Sequence, residues 1–430
     1  MTLPCGWDTK LLGKLILEIG DGGTPKTTKS EYFGGKIPWV NIQDISKIIS
    51  ETRTTLTQQG FSSCSAKLWP AGTVILSTGA TIGEVGIAQV PLTTKQGIHG
   101  IVCNKHIHNW FLYYKLQFLK NFLNANAQGS TIKEVRGPFI RTIPISFPIS
   151  IEEQSKIAEV LSTVDKAIEQ TEDLIAKQQG IKTGLMQDLL TKGIDEDGNL
   201  RSEKTHEFKD SPLGRIPAEW DIVKLKDLLY EISEPISMKN NEYYQLISIR
   251  RRNGGIFKRE ILSGKKILTK DLHRVIPGTF LIANRQIVHG ACAYVTTEFE
   301  GMVVSSAYTA LKGKENCNIE FFSWIAKTPL MYKYFLDASQ GVVLEKMNFH
   351  LDEWLEYPIF LPALSEQEAI TNILDLINCM ILEEEQHLKK LIAQKTGLMQ
   401  DLLTGKVPVT PLLKHNNNHN QDQMQEGANV

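Results

Sequence analysis

Apolar positions follow two different rhythms along this chain. At Ile157, Leu161, Val164, Ile168 and Ile175 they recur in steps of four and three, and the rhythm returns at Ile370, Leu374, Ile377, Ile381 and Leu388. That spacing lays them along one stripe of a helix and predicts two long helices with a coiled-coil seam. Pro148 and Pro362 precede the two stretches, and Ser150 with Glu153, and Ser365 with Glu368, have the spacing of a capping box. The seam weakens at Thr171 and Glu384. Gly184 and Gly397 fall inside it, where glycine costs about 1 kcal/mol relative to alanine, so a bend or a close helix crossing is expected there. The stretches "AGTVILSTGATIGEVGIAQV" and "PGTFLIANRQIVHGACAYVTT" read instead as short β-rich runs broken by Gly, Thr and Asn. An α+β protein is expected.

The helical segments share a word. "KTGLMQDLLT" occurs at Lys182 to Thr191 and again, unchanged, at Lys395 to Thr404, an offset of 395 − 182 = 213. The same offset carries Glu153 and Gln154 onto Glu366 and Gln367, and Pro4 and Trp7 onto Pro217 and Trp220. Each copy is a variable segment followed by a similar one. The expected organisation is a first head over 1–148, a helix over 149–192 and a polar linker over 193–214. A second head over 215–362, a helix over 363–405 and a tail over 406–430 follow. The linker should turn at Asp197-Gly198, and the tail from His415 is expected to be disordered.

Composition changes the picture only when read by segment. The formal net charge is −1. From Met1 to Ile140 there are 14 Lys+Arg against 8 Asp+Glu, net +6, and from Arg250 to Gly290 there are 10 against 2, net +8. Ser150 to Asp210 carries 8 against 14, net −6, and Leu364 to Gly405 carries 3 against 7, net −4. Basic heads suit nucleic acid; acidic helices would be repelled by phosphates and should face each other or protein partners. The six cysteines are scattered without a C-x-x-C pair, so neither a disulfide framework nor a zinc site is implied. The opening "MTLPCGWDTK" has no basic stretch leading into an apolar one, and no apolar run approaches the roughly 18 residues that span a bilayer. A cytoplasmic protein is expected.

The catalytic inventory is nearly empty. "GTPKTTKS" (Gly23 to Ser30) has Thr28 where a phosphate-binding loop needs glycine, and "EYFGGKIP" rather than a helix follows it. "GATIGEVG" lacks the spacing of a dinucleotide loop. "DEDGN" (Asp195 to Asn199) starts like a calcium loop but has His206 at its twelfth position. Glu384 with His387, and His106 with His108, read as exposed side chains rather than metal ligands. No catalytic residue and no metal site are assigned. The one positive signal is "SIRRRNGGIFKREILSGKKILTKDLHR" (Ser248 to Arg274), whose arginines suit phosphate contacts and bidentate readout of guanine.

With its two P-x-x-W-D openings, its two Glu-Gln helix starts and its repeated word, the chain resembles the specificity (S) subunit of type I restriction-modification systems. The matching stretches include "GDGGTPKTTKSEYFGGKIPWVNIQDI", "TTKQGIHGI", "FPISIEEQSKIAEVLSTVDKAI" and "LPALSEQEAITNILDLI". Together they cover about residues 3 to 408. The resemblance implies two globular α/β target-recognition domains joined by two long antiparallel helices forming a coiled coil, a pseudo-two-fold repeat. It implies a non-catalytic reader of a bipartite asymmetric site in double-stranded DNA, with Ile157, Leu161, Val164, Ile168, Ile370, Leu374, Ile377 and Ile381 in the helix seam. The implied partners are two methyltransferase subunits and restriction subunits. S-adenosylmethionine, ATP and Mg2+ would sit in those partners, with no cofactor in this chain. By position in the motifs, the DNA contacts of the first head would be Lys26, Thr27, Thr28, Lys29, Asn41, Thr78, Thr81, Lys95 and Gln96. Those of the second would be Arg250, Arg251, Arg252, Lys258, Arg259, Arg285, Gln286, His289, Ser305 and Ser306. Two rival classes are a stand-alone DNA-modifying enzyme and a coiled-coil scaffold whose heads bind protein or RNA. Activity of the chain without partners would mark the first, and indifference to duplex sequence the second.

Overall fold

The computed structural model describes residues 3–129, 133–343 and 347–413. The two seam stretches form helices of 39 residues each, Ile151–Leu189 and Leu364–Leu402, about 58 Å long at 1.5 Å per residue. The first begins as expected, with the Glu153 amide donating to the Ser150 hydroxyl at 3.3 Å. The second starts at Leu364, two residues before a cap at Ser365 would place it, so Ser365 lies inside its first turn and not at the cap. Among the described residues, no helix is long and apolar enough to cross a membrane, and no group of three or more His, Cys, Asp or Glu is placed to hold a metal ion.

The chain divides into two compact units, and the division cuts through both helices. One unit holds Met1–Asp173 with Glu385–Val430; the other holds Leu174–Glu384. Each unit is therefore a head, the start of one long helix and the end of the other. In the first unit, a five-stranded sheet runs in the order Ile16–Asp21, Ile98–Cys103, Val74–Ser77, Val85–Ala88, Ile48–Ile49. Its central strand is buried at every position, as a strand covered on both faces requires. Phe111, Leu112 and Leu116 of the helix Asn109–Phe118 fill the core with Ile157 and Leu161, and with Leu402 and Leu403 from the end of the repeated word. The second unit has a four-stranded sheet, Leu229–Ile232, Tyr308–Gly313, Phe280–Ala283, Cys292–Tyr294, and a five-stranded one containing the hairpin Tyr243–Ile249 and Ile256–Ser263. There Leu189 and Leu190 of the first word join Trp220, Ile370 and Leu374 in the core. Ile157, Leu161, Ile370 and Leu374 thus pack into head cores as well as lying on the seam, while Ile377 and Ile381 are buried and Val164 and Ile168 only half-buried.

The repeated word is explained by what it touches. Its Leu185, Met186, Leu189 and Leu190 lie against the second head, and its second copy places Leu398, Met399, Leu402 and Leu403 against the first. Its lysine crosses to the antiparallel helix segment in both units. Lys395 pairs with Asp165 at 2.6 Å, and Lys182 donates to the Asn378 side chain at 2.6 Å, positions related by the same 213-residue offset. The Glu-Gln motif is a second clamp. Fully buried Gln154 accepts from the His108 amide and donates to the carbonyls of His106 and Pro148; Gln367 accepts from the Asn318 amide and donates to those of Asn316 and Pro362.

Asp165 also accepts from the Tyr114 hydroxyl at 2.7 Å and pairs with Lys47 at 2.9 Å. Burial pushes its carboxyl up, but the bonds from Lys395, Tyr114 and Lys47 outweigh that and hold it below the ordinary carboxylate range. A group depressed in the folded state stabilises above its unfolded pKa and loses that contribution as pH falls through the folded value. Asp165→Asn is expected to lower stability by about 2 kcal/mol near neutral pH, the scale of hydrogen bonds to a charged group. The gap between variant and parent should close below about pH 4. Thermal melting of both proteins across pH 2.5 to 7 checks this; a gap independent of pH would contradict it.

Gly184 and Gly397 neither break the helices nor admit a close crossing, because a Cβ at either would meet nothing within 4 Å. Gly184→Ala is expected to raise stability by about 0.5 to 1 kcal/mol, read as a higher denaturation midpoint. The linker, expected to be plain polar chain, is partly built into the second unit. Ile194 and Arg201 are buried, Phe208–Ser211 pairs with Gly214–Pro217, and the expected turn stands at Gly198, with φ +81° and the Asp195 carboxylate accepting from the Asp197 and Asn199 amides. Residues 406–413 of the expected tail are folded too, with Val409 buried in the first core and the Thr410 hydroxyl on Glu153. The stretch from His415 lies outside the described residues.

Candidate nucleic-acid interface

In the first head, three motif loops are stitched into one surface. The Gly22 amide donates to the Ile98 carbonyl at 3.1 Å and that of Gly23 to Thr94 at 2.9 Å. The Thr78 and Gly79 amides both reach the Gly97 carbonyl, at 2.8 and 3.1 Å, and the Lys95 amide reaches Val40 at 3.0 Å. Glycine is required at position 22, since a Cβ there would overlap the Thr94 and Lys95 carbonyls. Beneath the loops, the Asp21 carboxylate accepts from the Gly22 and Gly97 amides, both at 2.8 Å. Buried His99 holds the Thr78 hydroxyl at 2.8 Å. Burial lowers the His99 pKa against the opposing pull of Asp21 and Glu134. Above this layer Lys26, Thr27, Thr28, Lys29, Thr81, Lys95 and Gln96 are exposed, and Asn41 is half-buried. Lys95 lies 5.9 Å from the Trp39 ring and Lys29 5.1 Å from that of Tyr32.

Thr78 corrects the sequence expectation. It is 1% exposed with its hydroxyl committed to His99, so it fastens the loop and does not face a ligand. Sequence reasoning passed over His99 and Asp21; the visible signal was a histidine set among apolar strand residues in "TTKQGIHGI". Ala80, at the tip of the loop, holds φ 58°, a left-handed conformation that a non-glycine residue adopts at a cost and that concentrates at functional sites.

In the second head the matching loop, Asn284 to Gly290, is tied the same way, with the Asn284 amide on the Ala307 carbonyl at 3.0 Å. Against it sits the hairpin turn Arg250 to Gly255. The Arg252 amide donates to the His289 carbonyl at 2.7 Å, the Asn253 amide to Gly290 at 2.9 Å, and Arg251 Nε to Gln286 Oε1 at 2.7 Å. Arg250 stacks over Phe257 at 4.5 Å. Arg250, Arg251, Arg252, Gln286 and His289 are thus brought together, with exposed Arg285 on the same loop. Ser306 is exposed and lines, with Asn284, a cavity of about 320 Å³; Ser305 is half-buried. Lys258 and Arg259 lie on the hairpin strand and are matched by Glu298 at 3.1 Å and Glu260 at 2.9 Å, which reduces the positive field they offer. Asn284 Oδ1 and His289 Nε2 are buried and lack a partner among the described residues.

Both heads therefore present exposed cations on loops fixed by a rigid frame. Residues 4–177 and 217–393 match the family described as the type I restriction modification DNA specificity domain. The chain belongs to that family. Among relatives of this type I specificity protein, the MjaIX specificity subunit of Methanocaldococcus jannaschii is 34% identical over 233 residues, 53% of this chain and 52% of that protein, so this match spans about half of the relative's length. The MjaVIII specificity subunit of the same organism is 23% identical over 96% of this chain and 95% of its own. The type I system S subunit of M. genitalium has a similar fold, with a TM-score of 0.59 at 15% identity over 94% of this chain and 98% of that one.

Proposed function

We propose that this chain is the non-catalytic, sequence-specific DNA-binding subunit of a type I restriction-modification complex, each head reading one half of a bipartite, asymmetric duplex site. The observation that carries this is the pair of loop surfaces: equivalent frames, one reinforced by Asp21 and His99, the other by Gln286, His289 and Gly290, present unlike exposed side chains. Equal frames with unequal contacts suit two different half-sites, because phosphate contacts position a protein while base contacts specify the sequence. The acidic long helices are surfaces for protein and not for DNA, and two methyltransferase subunits are the partners they fit, with restriction subunits joining the assembly. S-adenosylmethionine, ATP and Mg2+ belong to those partners, and the complex works in the cytoplasm.

Mapping methylated adenines in cells that express this chain with its methyltransferase tests the reading. One fixed motif of two unlike halves with a constant gap is expected. Methylation without a fixed sequence, or activity of the chain alone, would overturn it.

A further inference from the structure

The turn Arg250 to Gly255 is held more firmly than an exposed basic loop needs. Arg252 and Asn253 are consecutive non-glycine residues at φ 57° and 54°, a conformation that persists only where the surroundings enforce it. Four bonds from outside the hairpin do so: the amides of Arg252 and Asn253 on the carbonyls of His289 and Gly290, the Asn253 side-chain amide on the Tyr332 hydroxyl at 3.2 Å, and the Cys292 thiol on Asn253 Oδ1 at 3.8 Å. Tyr332 stands on the helix Pro329–Asp337, so the turn is referenced to the frame of the head. Gly290 belongs to the same lock: at φ +71°, a Cβ there would overlap the Tyr332 hydroxyl.

What this lock aims is Arg251, which is exposed and gives its Nε–H to Gln286 Oε1 at 2.7 Å. One of its five N–H donors is spent on that bond, and the two Nη groups keep the rest. An arginine that only neutralises phosphate gains little from a fixed pose, whereas two parallel bonds to the N7 and O6 of guanine demand one. We infer, resting on the DNA-reading function proposed above, that Arg251, oriented by Gln286, reads a guanine in the half-site of the second head, and that Tyr332 and Asn253 are positioning residues for it. Arg250, stacked on Phe257, and Arg252 flank it as phosphate contacts.

The test uses the full chain co-expressed with its methyltransferase, mapping methylated adenines for the parent, Arg251→Ala, Tyr332→Phe and Asn253→Gly, with thermal melting of each purified complex. Arg251→Ala is expected to relax one G·C position by about tenfold or more, in one half of the motif, with every other position kept. Asn253→Gly keeps the left-handed backbone accessible while removing the anchor. It and Tyr332→Phe should relax the same position more weakly, at an unchanged melting temperature. Arg251→Ala that leaves the motif intact and only makes methylation weaker overturns the inference, as does relaxation at an A·T pair. Tyr332→Phe and Asn253→Gly that lower melting and methylation evenly across the motif overturn the positioning roles. A parent without any fixed motif would instead sink the function on which the inference rests.

Discussion

Replacing Glu366 by alanine is expected to destabilise the second unit by about 3 to 5 kcal/mol, the range for removing one partner of a buried charge pair. Its carboxylate, 9% exposed, accepts from the Ile194 amide at 2.9 Å and from Trp220 Nε1 at 3.1 Å, and is bonded to Arg201 Nη1. Arg201 is itself 5% exposed and spends Nη2 on Glu219 at 2.8 Å, while its Nε has no partner among the described residues. Deleting the carboxylate would therefore leave a buried guanidinium, an indole N–H and a backbone amide short of an acceptor at once, each costly in a dry setting. Glu366→Gln should recover part of the loss, because an amide oxygen still accepts. The matching residue of the first unit, Glu153, is only half-buried and holds the Thr410 hydroxyl, so Glu153→Ala should cost less than about 1 kcal/mol. Denaturant unfolding of the three variants checks the order; equal losses at positions 153 and 366 would contradict it.

The second large effect is on specificity. Exchanging residues 215–362 for the corresponding head of a relative is expected to replace one half of the methylated motif and leave the other half and the gap as they were. Each correct bidentate base contact discriminates by about 1 to 3 kcal/mol, so a head with different loop side chains should abandon the old half-site by orders of magnitude. The exchange is feasible because both heads receive the same word, Leu189 and Leu190 in one unit and Leu402 and Leu403 in the other. A map of methylated adenines showing both halves altered would refute it.

Much of this organisation was legible in the residues. The four-and-three rhythm gave helices within three residues of their observed bounds, and the offset of 213 gave the repeat, because helix period and identical words are local signals. The exchange of helix ends between units was not legible. Leu402 and Leu161 share one core though more than 200 residues apart, and a seam pattern reads the same whether its apolar stripe meets a helix or a head. Among the site residues, exposed loop lysines and arginines were readable from charge and glycine content. Thr78 was not, since a threonine that caps a loop and one that greets a ligand look alike in sequence. The Asp21 and His99 layer escaped for the converse reason: isolated polar residues inside apolar strands carry no motif of their own.

The division of the chain has a consequence for its synthesis. The unit Leu174–Glu384 is one uninterrupted stretch, while the other joins Met1–Asp173 to Glu385–Val430. As the ribosome delivers the polypeptide from its amino end, the earlier-made head must wait, its Ile157 and Leu161 face uncovered, until Leu402 and Leu403 emerge. The later-made head closes first. A premature stop codon just before the second copy of the word would thus spare the half of the molecule nearest to it and cripple the half made long before.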